Sequence, residues 1–413
     1  MQTLHVRTYR ELFGIREFRV LFLSTCLNVA AGSMSSLALG TITYAQTRSP
    51  LLSAFAMFGG PLVRLVASWV LLSLSDLWRP RTALMVAAGV LGAANAVQAI
   101  PGLSWQARFV VLVLPWVLLS ATGGSLMALV SEILPEGAFV FGRSTLNIAV
   151  GVMQIAGYGA AGLLLLAFST GQLFAVAASA GLVTVLLVRL GLADRAPRAA
   201  GRAVSRSRAV NRLLLGSRVI RPVYLALWVP NGLIVGCEAL FVPYGGQHAG
   251  FLFSSAAAGM LVGDIVMGRF VPSHLRDRLV EPARLLLAVP YLAFFLHPGL
   301  PLACALSLVA SVGYCASLPL QERLVTRTAP DVRGHVLGLN GLGMMSMQGL
   351  GALIAGAIAT LFGADAGAAA LSIGLMAVAS VAVTLALVPG LRRSRDGHGL
   401  DVLALVPVQQ SAG

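Results

Sequence analysis

Three ionisable residues interrupt otherwise apolar stretches of the chain: Arg64, Glu238 and Asp264. In hydrocarbon a charged side chain is costly unless it is paired or hydrated, so these positions are the first candidates for chemistry. A carboxyl that alternates between wet and dry surroundings can take up and release a proton, which makes Glu238 and Asp264 candidates for proton coupling. Arg64 is the matching intramembrane charge partner, tuning such a carboxyl or meeting an anionic group. For Asp264, which follows Gly263 and precedes Gly268 and Arg269, a structural pairing with a nearby arginine is the competing use. Amides form a second polar set within apolar stretches: Asn28, Asn95, Gln98, Gln154, Asn231 and Gln348. Their commonest use is interhelical hydrogen bonding, worth about 0.6–2 kcal/mol each.

What must position these groups is a set of membrane helices. Of the 413 residues 57% are hydrophobic and 11% charged, with a mean hydropathy of +0.86, too few polar residues to cover a water-soluble surface. Spanning the hydrocarbon takes about 20 apolar residues. Twelve segments qualify, at 18–44, 51–74, 82–101, 108–130, 145–168, 171–191, 222–243, 250–270, 283–297, 301–320, 336–362 and 366–389, the ninth the shortest. All 29 basic residues are Arg; 26 fall in alternate gaps, Arg48 and Arg108 in the others, and Arg64 within a span. The basic gaps mark the cytoplasmic side, so both termini are expected there, in a multi-pass plasma-membrane protein. An odd number of missed spans would scramble that alternation.

The same asymmetry accounts for the net charge of +14 as topology and attraction to anionic lipid headgroups, with no nucleic-acid partner implied. The first 17 residues are polar, which argues against a cleavable signal peptide and leaves the first span as the insertion signal. Cys26, Cys237, Cys304 and Cys315 lie within spans and show no metal-ligand spacing; they read as free thiols. The histidines, His5, His248, His274, His297, His335 and His398, fall in gaps, tails or span ends. With no H-E-x-x-H helix, no buried Ser and His pair, and no lysine for a phosphate-binding loop, a membrane enzyme is the weaker class, and neither cofactor nor metal is expected.

The longest gap, about 192–221, is rich in Arg, Ala and Ser and separates six spans from six. This divides the chain into an N-terminal six-helix bundle, 1–191, a basic cytoplasmic linker, 192–221, a C-terminal six-helix bundle, 222–390, and a disordered cytoplasmic tail, 391–413. The bundles carry traces of duplication. Met153, Gln154 and Gly162 in the fifth span recur as Met347, Gln348 and Gly356 in the eleventh, an offset of 194. Glu132, Pro135, Glu136, Gly142 and Arg143 are echoed by Glu322, Pro330, Asp331, Gly334 and His335, and Asn28 by Asn231. Parallel repeats of this kind occur in transporters whose substrate site lies between the halves.

The gap after the second span, Leu72 to Arg81, resembles the major facilitator superfamily signature G-x-L-A-D-R-x-G-R-R, with Asp76 on its Asp and Arg81 on its last basic position. Leu72, Leu77, Arg79 and Pro80 depart from it. Taken with twelve spans, the basic central gap and the two Pro-acid-Gly-basic gaps, the chain is similar to the enterobactin-exporter and macrolide-efflux branch of drug exporters. Gly157-Tyr158-Gly159-Ala160-Ala161-Gly162 resembles the antiporter signature G-P-x-x-G-G, with Tyr158 and Ala161 substituted; close helix packing is the alternative use of these glycines.

That resemblance implies an all-α membrane fold of two pseudo-symmetric six-helix bundles. It also places Asn28, Gln154, Asn231 and Gln348 on helices bordering a central cavity, as substrate contacts, with Glu238 on a cavity-lining helix. Asp76, Arg79, Arg81, Glu132 and Glu322 become gating candidates: Asp76 facing the positive N-terminus of the eleventh span, and Arg79 or Arg81 pairing with Glu132 when the cytoplasmic side is closed. The expected activity is proton-coupled efflux of small hydrophobic or amphipathic compounds, such as antibiotics, siderophores or secondary metabolites, by rocker-switch motion of a monomer. Its partners are that small-molecule substrate, protons and membrane lipids. The alternatives are a uniporter, or a lipid scramblase or sensor on the same fold.

Overall fold

A computed structural model of the protein describes residues 8–71, 79–122, 129–130, 132–134, 139–195, 211–328 and 333–395. The expected position of Asp76, the tail from 396 and the central stretch 196–210 lie outside them. The described residues are helical almost throughout. In the N-terminal half the long helices are α1 (Arg16–Thr47), α2 (Pro50–Phe58), α3 (Gly60–Leu71), α4 (Pro80–Gln98), α5 (Trp105–Thr122), α6 (Phe139–Leu164) and α7 (Thr170–Gly191). In the C-terminal half they are α8 (Arg221–Ala239), α9 (Ala249–Ile265), α10 (Ser273–Ala288), α11 (Leu300–Val312), α12 (Ser317–Thr326), α13 (Arg333–Leu361) and α14 (Ala366–Arg395).

Their boundaries follow local chemistry. α1 stops where Arg48 takes a left-handed conformation, φ 53°, and Ser49 then caps α2 by accepting from the Leu52 N–H, with Pro50 at the first helical position. Ser169 and Gln172 form a reciprocal capping box at the start of α7. Among the described residues eight helical stretches are long and apolar enough to cross a membrane, one of them, Arg221–Phe270, running through α8 and α9 together; Trp105–Leu119 and Ile148–Leu164 are shorter apolar helices. Large apolar side chains such as Val110, Leu114, Leu186, Leu190, Leu296 and Leu361 stand exposed on the protein surface, as lipid-facing residues do. The chain is therefore a multi-pass membrane protein.

The ninth segment differs from its expected 283–297. α10 begins ten residues earlier, at Ser273, and a 3₁₀ stretch, Val289–Leu296, completes it. Val280, Ala283, Arg284, Leu287 and Ala288 form its buried stripe at helical spacing, so Arg284, counted above among the loop arginines, is 1% exposed. Arg108, counted in another gap, is also buried, its guanidinium donating to both the backbone carbonyl and the Oε1 of Gln98. The helix α14 runs to Arg395, past the boundary expected at 390.

Within halves, α1 packs on α6 and α7, α4 on α7, α9 on α11, and α8 on α13 and α14. The α8·α13 contact is close enough to need glycine: a Cβ on Gly232 would meet Met347, and one on Gly351 would meet Gly232. Overpacking of this kind typically costs about 1–3 kcal/mol. Gly351→Val is accordingly expected to lower the thermal unfolding midpoint of the purified protein in detergent, read by tryptophan fluorescence.

Between halves, α6 packs on α9, and α2 and α3 pack on α13. A single apolar core spans both halves at the end away from the chain termini, containing Leu37, Tyr158 and Phe174 of one half with Leu240, Phe253 and Phe294 of the other. Among the described residues the core is split at the terminus-bearing end. One cluster, around Phe18, Leu146 and Val188, belongs to the N-terminal half, and another, around Tyr224, Leu227 and Leu324, to the C-terminal half.

Candidate functional site

Glu238 sits in the last turn of α8, and the chain continues helically through Phe241–Gly245 and Gly246–His248. The Tyr314 hydroxyl donates to its Oε1 at 3.2 Å. Tyr158 and Tyr291 are within electrostatic reach of the same carboxylate. These three tyrosines come from α6, the 3₁₀ stretch after α10 and the 3₁₀ stretch Gly313–Ala316, so elements of both halves converge on one acid. Ser36 of α1 and Gln154 of α6 are near the Tyr158 hydroxyl, which places the amide candidate Gln154 close to the Glu238 cluster. The Tyr158 ring stacks on Phe253 of the other half, centroids 4.7 Å apart.

The Gly313–Ala316 stretch separates α11 from α12 and links the ionisable groups of the C-terminal half. Tyr314 faces Glu238 on one side and interacts with Arg284 on the other; Cys315 interacts with both Arg284 and Asp264. The Arg284 guanidinium donates to the Ser317 hydroxyl at 3.3 Å, while its Nε and Nη1 are buried without a hydrogen-bond partner. Asp264, near the end of α9, is exposed on the protein surface. Glu238, Arg284 and Asp264 are thus related through the electrostatic reach of Tyr314 and Cys315. The arginine serving that region is Arg284, whereas Arg64 lies in the N-terminal half and makes no hydrogen bond or ion pair among the described residues.

The other amides divide. Gln348 of α13 donates to the side-chain oxygen of Asn231 of α8 at 2.9 Å, tying two helices of the same half. Asn28 and Arg64 line a cavity of about 290 Å³ inside the N-terminal half, with Ser35, Asn95 and Trp116. α1, α3, α4 and α5 supply these five side chains. No sequence signal marked Tyr314 or Tyr291 as neighbours of Glu238, or Arg284 as a neighbour of Tyr314; Tyr158 was visible only as the residue standing where the antiporter signature has Pro.

In this state the gating candidates have other partners than those expected for a closed cytoplasmic side. Arg79 forms an ion pair with Asp194 and Arg81 donates to the Arg189 carbonyl. Glu132 pairs with Arg195 at 3.6 Å, and Arg195 also makes a two-pronged pair with Glu17, at 2.9 and 2.7 Å. The hydrogen bond to Glu17 holds the Arg195 guanidinium above its ordinary pKa. In the other half, Glu322 is exposed; its neighbour Arg323 is buried and bonds Asp277 at 2.6 Å, while Arg392 bonds Glu281. Each of these ion pairs at the terminus-bearing end lies within one half.

The opposite end is bridged. Gly162 of α6 meets Gly250 of α9 backbone to backbone; Gly356 of α13 meets Leu51 of α2. The Leu51 N–H donates to the Thr360 hydroxyl at 3.2 Å and the Tyr44 hydroxyl to the Ala364 carbonyl at 2.7 Å. Gly162 and Gly356, related by the 194-residue offset, therefore hold equivalent places in two inter-half contacts.

No protein-family model matches the chain, and no curated protein sequence does. Solved structures do match over nearly the whole length. A bacterial homolog of the human lysosomal transporter Spinster, in an inward-facing and occupied conformation, aligns with TM-score 0.68 at 14% identity, covering 92% of this chain and 96% of that one. A POT family transporter in complex with a thioalcohol-conjugated peptide aligns with TM-score 0.72 at 12% identity, covering 91% and 96%. A point mutant of the nucleoside transporter NupG aligns with TM-score 0.70 at 13% identity, covering 91% and 99%. The chain has the fold of these transporters.

Proposed function

We propose that this protein is a secondary transporter that exports small hydrophobic or amphipathic compounds across a plasma membrane by alternating access, in exchange for protons. The observation that carries the reading is the division of the core. One end is sealed by an apolar cluster shared between halves, and at the other each half has its own core and its own ion pairs. A two-bundle protein in that arrangement needs only to rock about its middle to exchange the sealed end for the open one. The arginine bias places the split end in the cytoplasm, so this state faces inward, with both termini on the cytoplasmic side. The sharing of the fold with peptide and nucleoside transporters supports transport as the activity.

Glu238 is the proton carrier in this reading. Elements of both halves converge on it, the Tyr314 hydroxyl donates to it, and the buried cation Arg284 is within electrostatic reach of that same tyrosine. Asp264, within electrostatic reach of Cys315, is the exit or entry station. Asn231 and Gln348 hold α8 against α13, while Gln154 and Asn28 remain available to substrate. Arg79, Arg81 and Glu132 are held within the N-terminal half in this state and would exchange partners when the cytoplasmic end closes.

Reconstitution in liposomes with an entrapped pH dye tests the proposal, using hydrophobic antibiotics and siderophores as substrates. Substrate gradients are expected to drive proton movement. Substrate flux without proton movement would make the protein a uniporter, and phospholipid movement without substrate flux a scramblase.

A further inference from the structure

The N-terminal half holds a cavity whose arginine the proposed mechanism leaves without a role. Arg64 enters it from α3 with no counterion: among the described residues no carboxylate or hydrogen-bond acceptor contacts its guanidinium, and its Nε is buried without a partner. The described acids of this half stand at the terminus-bearing end, where Glu17 and Glu132 pair with Arg195, Asp194 pairs with Arg79, and Glu11 caps the first helical turn. Arg108, the other buried arginine of the half, shows the contrast, since two oxygens of Gln98 satisfy it at 2.9 Å each. A second polar group in the same cavity is also unsatisfied: the Ser35 hydroxyl is buried with no partner. Asn28 and Asn95 add amide donors, and Trp116, Leu112 and Phe174 supply apolar wall.

A cation left unpaired in a cavity that also holds an unused hydroxyl, two amides and aromatic and aliphatic groups is complementary to an anionic head on a compact apolar body. We propose that this cavity is an anion-binding subsite in which Arg64, helped by Ser35 and Asn28, holds the carboxylate or sulfonate of a transported amphipathic compound. The inference rests on the transport reading for its biological meaning, but the site itself does not. The volume of about 290 Å³ suits a bicyclic aromatic acid rather than a macrocycle. An anionic lipid headgroup presents the same chemistry and is the alternative source of the anion.

The probe is 2-naphthoate against its neutral isostere 2-naphthamide, with binding measured calorimetrically on the protein in phosphatidylcholine nanodiscs and again in nanodiscs containing phosphatidylglycerol. The naphthoate is expected to bind about tenfold to a hundredfold more tightly than the amide, the range of a charge-assisted hydrogen bond to a desolvated cation. Arg64→Gln is expected to erase that preference and Arg64→Lys to keep part of it, with unchanged thermal melting showing that both variants are folded. Equal binding of acid and amide, or a preference that survives Arg64→Gln, overturns the proposal. Loss of naphthoate binding in phosphatidylglycerol discs also overturns it, assigning the cavity to lipid. Arg64-dependent binding without any substrate flux would leave the anion site standing while the transport reading fell; flux of cationic or neutral compounds with no anion preference would do the reverse.

Discussion

Glu238→Gln is expected to reduce substrate-driven proton movement to the level of empty liposomes while leaving substrate binding and folding in place. The substitution keeps the size and a hydrogen-bond acceptor for the Tyr314 hydroxyl, which donates to Glu238 at 3.2 Å, and removes only the ability to exchange a proton. Structural loss is therefore not the expected failure. Tyr314→Phe is the milder lesion: it removes one hydrogen bond to a charged group, worth about 1.5–3 kcal/mol, and should slow coupled exchange without abolishing it. Arg284→Met tests the buried cation that shares Tyr314 with the carrier. Arg284 is 1% exposed, and an apolar side chain of similar volume at such a site is often tolerated, so a folded Arg284→Met protein that has lost coupling would identify the buried cation as functional. Normal proton flux in Glu238→Gln, with Asp264→Asn inactive, would move the carrier to Asp264. Proton movement in the double variant would remove both.

The membrane architecture was legible because hydropathy and arginine distribution act at low resolution: a span needs only its composition, and its sidedness only the charge of its gaps. The repeat was legible for a sharper reason. Gly162 and Gly356 both serve helix crossings that exclude a Cβ, so duplication left the same residue at the same offset in each half. Averaging over a window is also what hid the start of α10. Its first turns carry His274, Arg276, Asp277, Arg278 and Glu281, a polar set that hides the apolar stripe on the opposite face and moved the expected start to 283. Arg284 was lost with it, because a gap is where arginine usually belongs. The partners of Arg79 and Arg81, Asp194 and the Arg189 carbonyl, lie more than a hundred residues along the chain, and nothing in local spacing selects them over Glu132. The surroundings of Glu238 were out of reach for the same reason: three tyrosines from three separate elements meet there only once the halves are assembled.

Gly250→Val is expected to open the sealed end of the protein. In this state a Cβ on Gly250 has no room, because the Gly162 backbone occupies its place, and one on Gly162 would stand 2.8 Å from the Gly250 Cα. Overpacking costs about 1–3 kcal/mol, and here it falls on a contact between halves that alternating access must break in any case. The population should therefore shift toward the state in which α6 and α9 separate, by about 5- to 150-fold for that energy. Ser254 supplies a reporter, since its hydroxyl is buried beside Gly159 in the same crossing. With the four native cysteines replaced, Ser254→Cys should react slowly with a membrane-impermeant maleimide added from outside, and faster by that factor once Gly250→Val is introduced. Gly351→Val is the control, because its crossing of α8 and α13 lies within one half: it should lower the melting temperature and leave the Ser254→Cys labelling rate where it was. If instead Gly250→Val melts the protein and leaves labelling unchanged, the α6·α9 contact belongs to a rigid core, and the halves do not part there.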